Sequence, residues 1–181
     1  MCTICALTIE FAVDHPDALA VAVATRQAIE TGLLPELDPH VEIDMTQSRH
    51  AATVLLTTVQ QRLEQVLPAS RLASLPDFYV LMIESRTWGY FHPTLAGFDA
   101  NANPSPPRIE PDENNVRDNI LVMSQAAAEE LIRGRLPFEH AREIGVAVID
   151  APGSNGQTIR SALVAAYPMD QFSDFVCTEV A

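Results

Sequence analysis

Phe78-Tyr79-Val80-Leu81-Met82-Ile83-Glu84, followed after Arg86 by Trp88-Gly89-Tyr90-Phe91-His92, is the stretch on which the fold turns. The first run is apolar almost without a break, which suits a central strand buried on both faces. The second is short and aromatic, a composition that strands favour. Two strands set this close together argue for a mixed α+β domain over an all-parallel sheet.

Upstream, residues 3–13 are mostly apolar and read as a buried strand. Asp14-His15-Pro16-Asp17 reads as a helix start, with an acidic cap and a proline in the first turn. The helix would run from Ala18 to Ile29 and stop at Gly32. Its alanines and its end signals outweigh a competing period-two alternation in residues 18–24. Residues 41–45 read as a short strand. Thr46 then caps a long amphipathic helix at about 47–67, stopped by Pro68. Ala52, Leu55, Leu56, Val59, Leu63, Val66 and Leu67 form its apolar stripe, with Thr57, Gln60, Gln61, Glu64 and Gln65 mostly opposite.

Downstream, Pro93 to Asn115 reads as a long surface loop. It carries Asn101-Ala-Asn-Pro-Ser-Pro-Pro107 and Glu110-Pro-Asp-Glu113. A pocket, if the fold has one, is expected beside this loop at Trp88 and Phe98. After it, Asn119–Met123 is a strand, and Ser124 caps a helix that ends at Gly134. Pro137 starts a short helix ended by Gly145, and Val146–Asp150 is a strand. A last helix is predicted from Gln157 to Tyr167. The expected class is α+β, with a mixed sheet of about five to six strands packed with helices. One domain of residues 1–181 is predicted, with a long loop at about 93–115.

Composition narrows the function. Hydrophobic residues are 48% of the 181, enough for a core and too many for disorder. Net charge is −13, and twelve of the 24 acids fall in residues 1–100, so the charge is spread along the chain. Without a basic stripe, neither nucleic acid nor an anionic membrane surface is an expected partner. The longest uninterrupted apolar run, Ala18–Ala24, is too short to insert into a bilayer. All eleven cations are arginines. With no lysine, Schiff-base chemistry and the phosphate-loop lysine are excluded. The start of the chain shows no basic region ahead of its apolar residues, so a reducing cytoplasm and free thiols are expected.

Several constellations could carry chemistry. Cys2 and Cys5 form a Cys-x-x-Cys pair that could exchange electrons or hold half of a metal site. The pair reads equally as small apolar side chains on a buried segment. On a strand the two would point to opposite faces. His40, Glu42 and Asp44 would share one face of the strand at 41–45, a set able to bind a metal or simply to meet solvent. Ala151-Pro-Gly-Ser-Asn-Gly-Gln-Thr158 mimics a phosphate loop but carries Gln157 where the lysine belongs, and reads as a helix-initiating turn. Trp88, Tyr90, Phe91, His92 and Phe98 collect near the long loop and are the candidate pocket residues, or else they close the core. No motif specifies a cofactor.

Residues 119–150 have a distinct cadence. A strand leads to a helix ending in Gly134, then Leu136, Ala141 and Gly145 introduce the strand at 146–150. This resembles the strand, helix, G-x-L-x-x-x-x-A-x-x-x-G and strand segment of the sterol-carrier-protein fold. The resemblance implies a sheet backed by helices and an apolar tunnel for lipids. It covers about 30 residues, has no place for the long helix or the proline-rich loop, and lacks the family's glycine at Ala151. None of its ligand-contacting positions can be carried over.

The resulting expectation is a non-catalytic cytoplasmic protein that binds a small apolar ligand or acts as a homo-oligomer. The alternative is a thiol-redox or metal-dependent enzyme using Cys2 and Cys5.

Overall fold

The computed structural model describes residues 8–9, 15–35, 44–113 and 116–169. Its elements are, in chain order, β1 (Thr8–Ile9), α1 (Ala18–Glu30), α2 (Met45–Val66), α3 (Ala69–Leu72), β2 (Phe78–Met82), β3 (Thr87–Phe91), β4 (Pro93–Thr94), β5 (Gly97–Phe98), β6 (Ile120–Met123), α4 (Gln125–Ile132), α5 (Phe138–Glu143), β7 (Ala147–Asp150) and α6 (Asn155–Ala166). The protein is α+β. A mixed sheet is built from β3, β2, β6 and β7 in that order, with the two-residue β1 paired at the β3 edge. β4 and β5 make a separate two-stranded ribbon.

β2 and β3 form an antiparallel hairpin in which Tyr79 faces Tyr90 and Val80 faces Gly89. β6 runs parallel to β2 and antiparallel to β3, so β3 ends and β6 begins at the same end of the sheet, and the chain between them crosses past the start of β2. The segment from Asp99 to Asp118 is that crossover. This explains its length, and also why it is not wholly at the surface as the sequence reading expects. Pro107 is buried, and Ile109 packs on the sheet. The first residues of the expected loop are the β4–β5 ribbon instead. Its Phe98 N–H donates to Glu64 of α2 at 2.7 Å.

β7 returns antiparallel to β6. Two helices intervene, and each reverses the chain direction once. The turn signals read from sequence hold at both: Gly134 and Gly145 have positive φ, a conformation that costs glycine little. Ser124 Oγ accepts the Ala127 N–H at 3.1 Å, as a cap should.

Every residue of β2 is buried because the sheet is covered on both faces. On one face Phe78, Val80, Met82, Phe91, Leu121 and Met123 pack with α2, α4, α5 and α6 in the main core. On the other, Tyr79, Leu81, Trp88, Ile120 and Val122 meet Val21 of α1.

α2 follows the predicted stripe at Ala52, Leu56, Val59 and Leu63, all buried. Gln60 departs from it. Expected on the polar side, it is 6% exposed, and its amide donates to the Tyr90 carbonyl at 3.4 Å. The cap also shifts, from Thr46 to Asp44, whose carboxylate accepts the Thr46 N–H at 2.9 Å. Residues 44–45 of the expected strand therefore belong to the helix start, and residues 41–43 lie outside the described residues.

Candidate functional site

The hairpin register that pairs Tyr79 with Tyr90 also places both rings on the second face of the sheet, 4.8 Å apart. The crossover passes them, and the Tyr79 hydroxyl donates to the Ser105 carbonyl at 2.8 Å. Between rings and crossover lies a cleft of about 510 Å³, walled by the two tyrosines, Pro104 and Pro106. That volume falls in the range of small-molecule sites.

Asp77, Asp118 and Arg108 supply its charges. The Asp77 carboxylate accepts the Tyr90 hydroxyl at 2.6 Å and lies 2.9 Å from His92 Nδ1. The His92 ring stacks on Tyr90 with centroids 6.2 Å apart. Asp118 takes both the backbone N–H and the guanidinium of Arg108. Two carboxylates and one guanidinium thus line the cleft, and Arg108 also lies 3.8 Å from Asp112. The phenols register that field: Tyr79 is pushed up to about 12 by burial, then by Asp118 and Asp77 against Arg108. Burial and the bond to Asp77 push Tyr90 higher still.

Strand alternation divides the aromatic residues named from sequence. Tyr90 lines the cleft and His92 stacks behind it. Trp88 is buried deeper on the same face, edge-on to Tyr79 at 6.3 Å. Phe91 points the other way into the main core, between Phe78 and Phe98. Sequence reasoning missed Asp77, Tyr79, Arg108 and Asp118. Tyr79 was recoverable, since folding the two runs about residues 83–86 sets it against Tyr90. Cys2, Cys5, His40 and Glu42 lie outside the described residues, and Asp44 caps α2.

A second cluster joins His15, Asp17 and Asp150. The His15 side chain is 1% exposed, and its Nε2 lies 3.3 Å from Asp150 Oδ2. Its Nδ1 accepts the Asp17 N–H at 3.1 Å, so the neutral ring carries its hydrogen on Nε2. A metal at Nε2 would need that hydrogen moved to Nδ1, against an N–H. Arg117 already places a cation 2.6 Å from Asp150. This chemistry fits a clamp between α1 and β7 better than a metal centre. His15 also borders a cleft of about 370 Å³ with Glu84. Burial raises the Glu84 carboxyl above its usual range, although it accepts the Gln125 N–H at 2.7 Å.

All three tyrosines of the chain are raised, Tyr167 through burial opposed by Arg62. A phenol raised in the fold favours its neutral form there. Its contribution to stability is complete below the unfolded value near 10 and is lost as pH rises toward the folded value. At pH ~11 the native protein should therefore show little phenolate absorbance, and denaturant should release that of all three side chains. Ionisation near pH ~10 with the fold intact would contradict the packing of these rings.

No protein-family model, no curated protein and no solved structure matches this chain.

Proposed function

We propose that the chain is a binding protein whose Tyr79–Tyr90 cleft receives a small ligand joining an apolar body to a positively charged group. The observation that carries this reading is one cleft lined by two tyrosine rings, two carboxylates and one guanidinium. Aromatic faces attract cations through their quadrupole, and a surplus carboxylate adds to that attraction. The prolines of the crossover give the apolar body a wall that needs no hydrogen bonds. The expected small apolar ligand is thereby narrowed to one with a cationic head.

Titration calorimetry with benzyltrimethylammonium, benzyl alcohol and benzoate tests this. The cation should bind with a dissociation constant of about 1 mM or tighter, the alcohol several-fold more weakly, and the acid not at all. Tyr90→Ala should weaken the cation about 10-fold. Asp77→Asn keeps an acceptor for the Tyr90 hydroxyl and removes only the charge, so it should erase the preference over the alcohol. Equal binding of cation and alcohol, or a Tyr90→Ala variant with unchanged affinity, would reject the reading.

A further inference from the structure

We propose a second binding site, for a small organic carboxylate, in the cleft between the middle of α2 and the C-terminal ends of α4 and α6. This cleft, of about 280 Å³, shares no residue with the tyrosine cleft. Thr58, Gln61, Arg62 and Gln65 line it from α2, Leu131 to Gly134 from the end of α4, and Tyr167 from the end of α6.

Three observations converge. Tyr167 is 6% exposed, and its hydroxyl has no hydrogen-bond partner among the described residues. A buried hydroxyl in that state calls for an acceptor or a donor that the described residues do not supply. The hydroxyl stays protonated because burial raises it, so it is available as a donor. Arg62 gives its Nε to the Ala166 carbonyl at 3.2 Å and has no carboxylate partner among the described residues. Arg133, by contrast, is neutralised by Glu129 at 2.8 Å and Glu130 at 2.7 Å. Arg62 therefore has no carboxylate partner among the described residues, and with its Nε on the carbonyl end of α6 its other two nitrogens remain for a monoanion. A guanidinium and a carboxylate match in geometry as well as in charge.

The remaining lining fixes the rest of the ligand. Gln61 and Gln65 are four residues apart on one helical face and offer amides beside the charge. Leu131 and Ile132 offer apolar contact, and the volume admits only a short chain. A short aliphatic acid meets all of these groups at once. A dianion such as a phosphate ester would bring a second charge with no partner.

Butyrate and its neutral isostere butyramide are the probes, titrated into the full chain by calorimetry, with ring-labelled tyrosine followed by NMR. Butyrate should bind with a dissociation constant of about 1 mM and shift the signal that Tyr167→Phe removes. Butyramide should bind about 10-fold more weakly, and Tyr167→Phe should weaken butyrate about 5-fold to 10-fold. Arg62→Gln should remove the preference for butyrate. Should Arg62→Gln fail to fold, Tyr167→Phe decides alone, because it deletes only an unpartnered oxygen and should leave the unfolding temperature unchanged or higher. Equal affinity for the two probes, no saturable binding, or undiminished butyrate binding by Tyr167→Phe would each overturn the proposal. The last would show that the hydroxyl does not meet the ligand.

Discussion

Gly89→Val is expected to lower stability by about 3 kcal/mol or more, with Gly89→Ala losing about 1–2 kcal/mol. Gly89 sits mid-strand in β3, paired with Val80 on one side and Thr8 on the other. A Cβ at this position would lie 2.9 Å from Leu56 Cδ2, 3.0 Å from Cδ1 and 3.3 Å from Cγ. Leu56 is 2% exposed, and a side-chain rotation that clears one methyl leaves the branching carbon in the way. The absent side chain is what seats α2 against the sheet. In a domain of this size ~3 kcal/mol corresponds to about 6–12 °C in unfolding temperature. Combining Gly89→Ala with Leu56→Ala gives a sharper measurement. The double variant should be about 1–2 kcal/mol more stable than the two losses summed, because each change relieves the other. Simple additivity in urea unfolding would show that α2 does not press on β3 at this point.

Gly89 also illustrates what the sequence could and could not disclose. Local signals were legible because they are written in neighbouring residues. Gly32, Gly134 and Gly145 end helices where expected, all with positive φ, and Ser124 caps α4. Phe78–Met82 was recognisable as doubly buried from its uninterrupted apolar run. What was not legible was long-range. The direction of β7 depends on how many helices precede it, and period alone does not encode that. Gln60 lies on the polar side of its own helix, yet α2 crosses β3 closely enough to bury it.

The candidate site divides along the same line. Tyr90 and His92 were named because they sit in an aromatic run. Asp77, Tyr79, Arg108 and Asp118 are spread over more than forty positions, and only strand pairing and the crossover assemble them. The crossover itself read as a polar, proline-rich loop. In the fold Pro104 and Pro106 line the cleft beside Tyr79 and Tyr90, and Ile109 packs on the same face of the sheet.

Replacing His15 should release α1 from the sheet before the rest of the protein unfolds. Among the described residues, the face carrying Trp88 receives one fully buried side chain from α1, Val21, so that contact alone holds the helix weakly there. His15 adds one hydrogen bond and one close approach to a carboxylate from a side chain that is 1% exposed. Its Nδ1 accepts the N–H of Asp17, whose own carboxylate makes no cap bond, and its Nε2 abuts the Asp150 carboxylate held by Arg117. His15→Ala removes both and leaves a void, at a cost of about 2–3 kcal/mol. His15→Asn restores an acceptor two residues before Asp17, as asparagine does in turns, and should recover about 1 kcal/mol. Trp88 is the chain's single tryptophan and is 1% exposed, so its emission reports this face directly. In His15→Ala the emission should shift to the red at denaturant concentrations where helical circular dichroism has lost only a fraction of its signal. In His15→Asn the two curves should draw together, and in the parent they should coincide. Coincident curves in all three would mean that α1 unfolds with the main core, held through Ala28 and Leu34 and not through the clamp at its start.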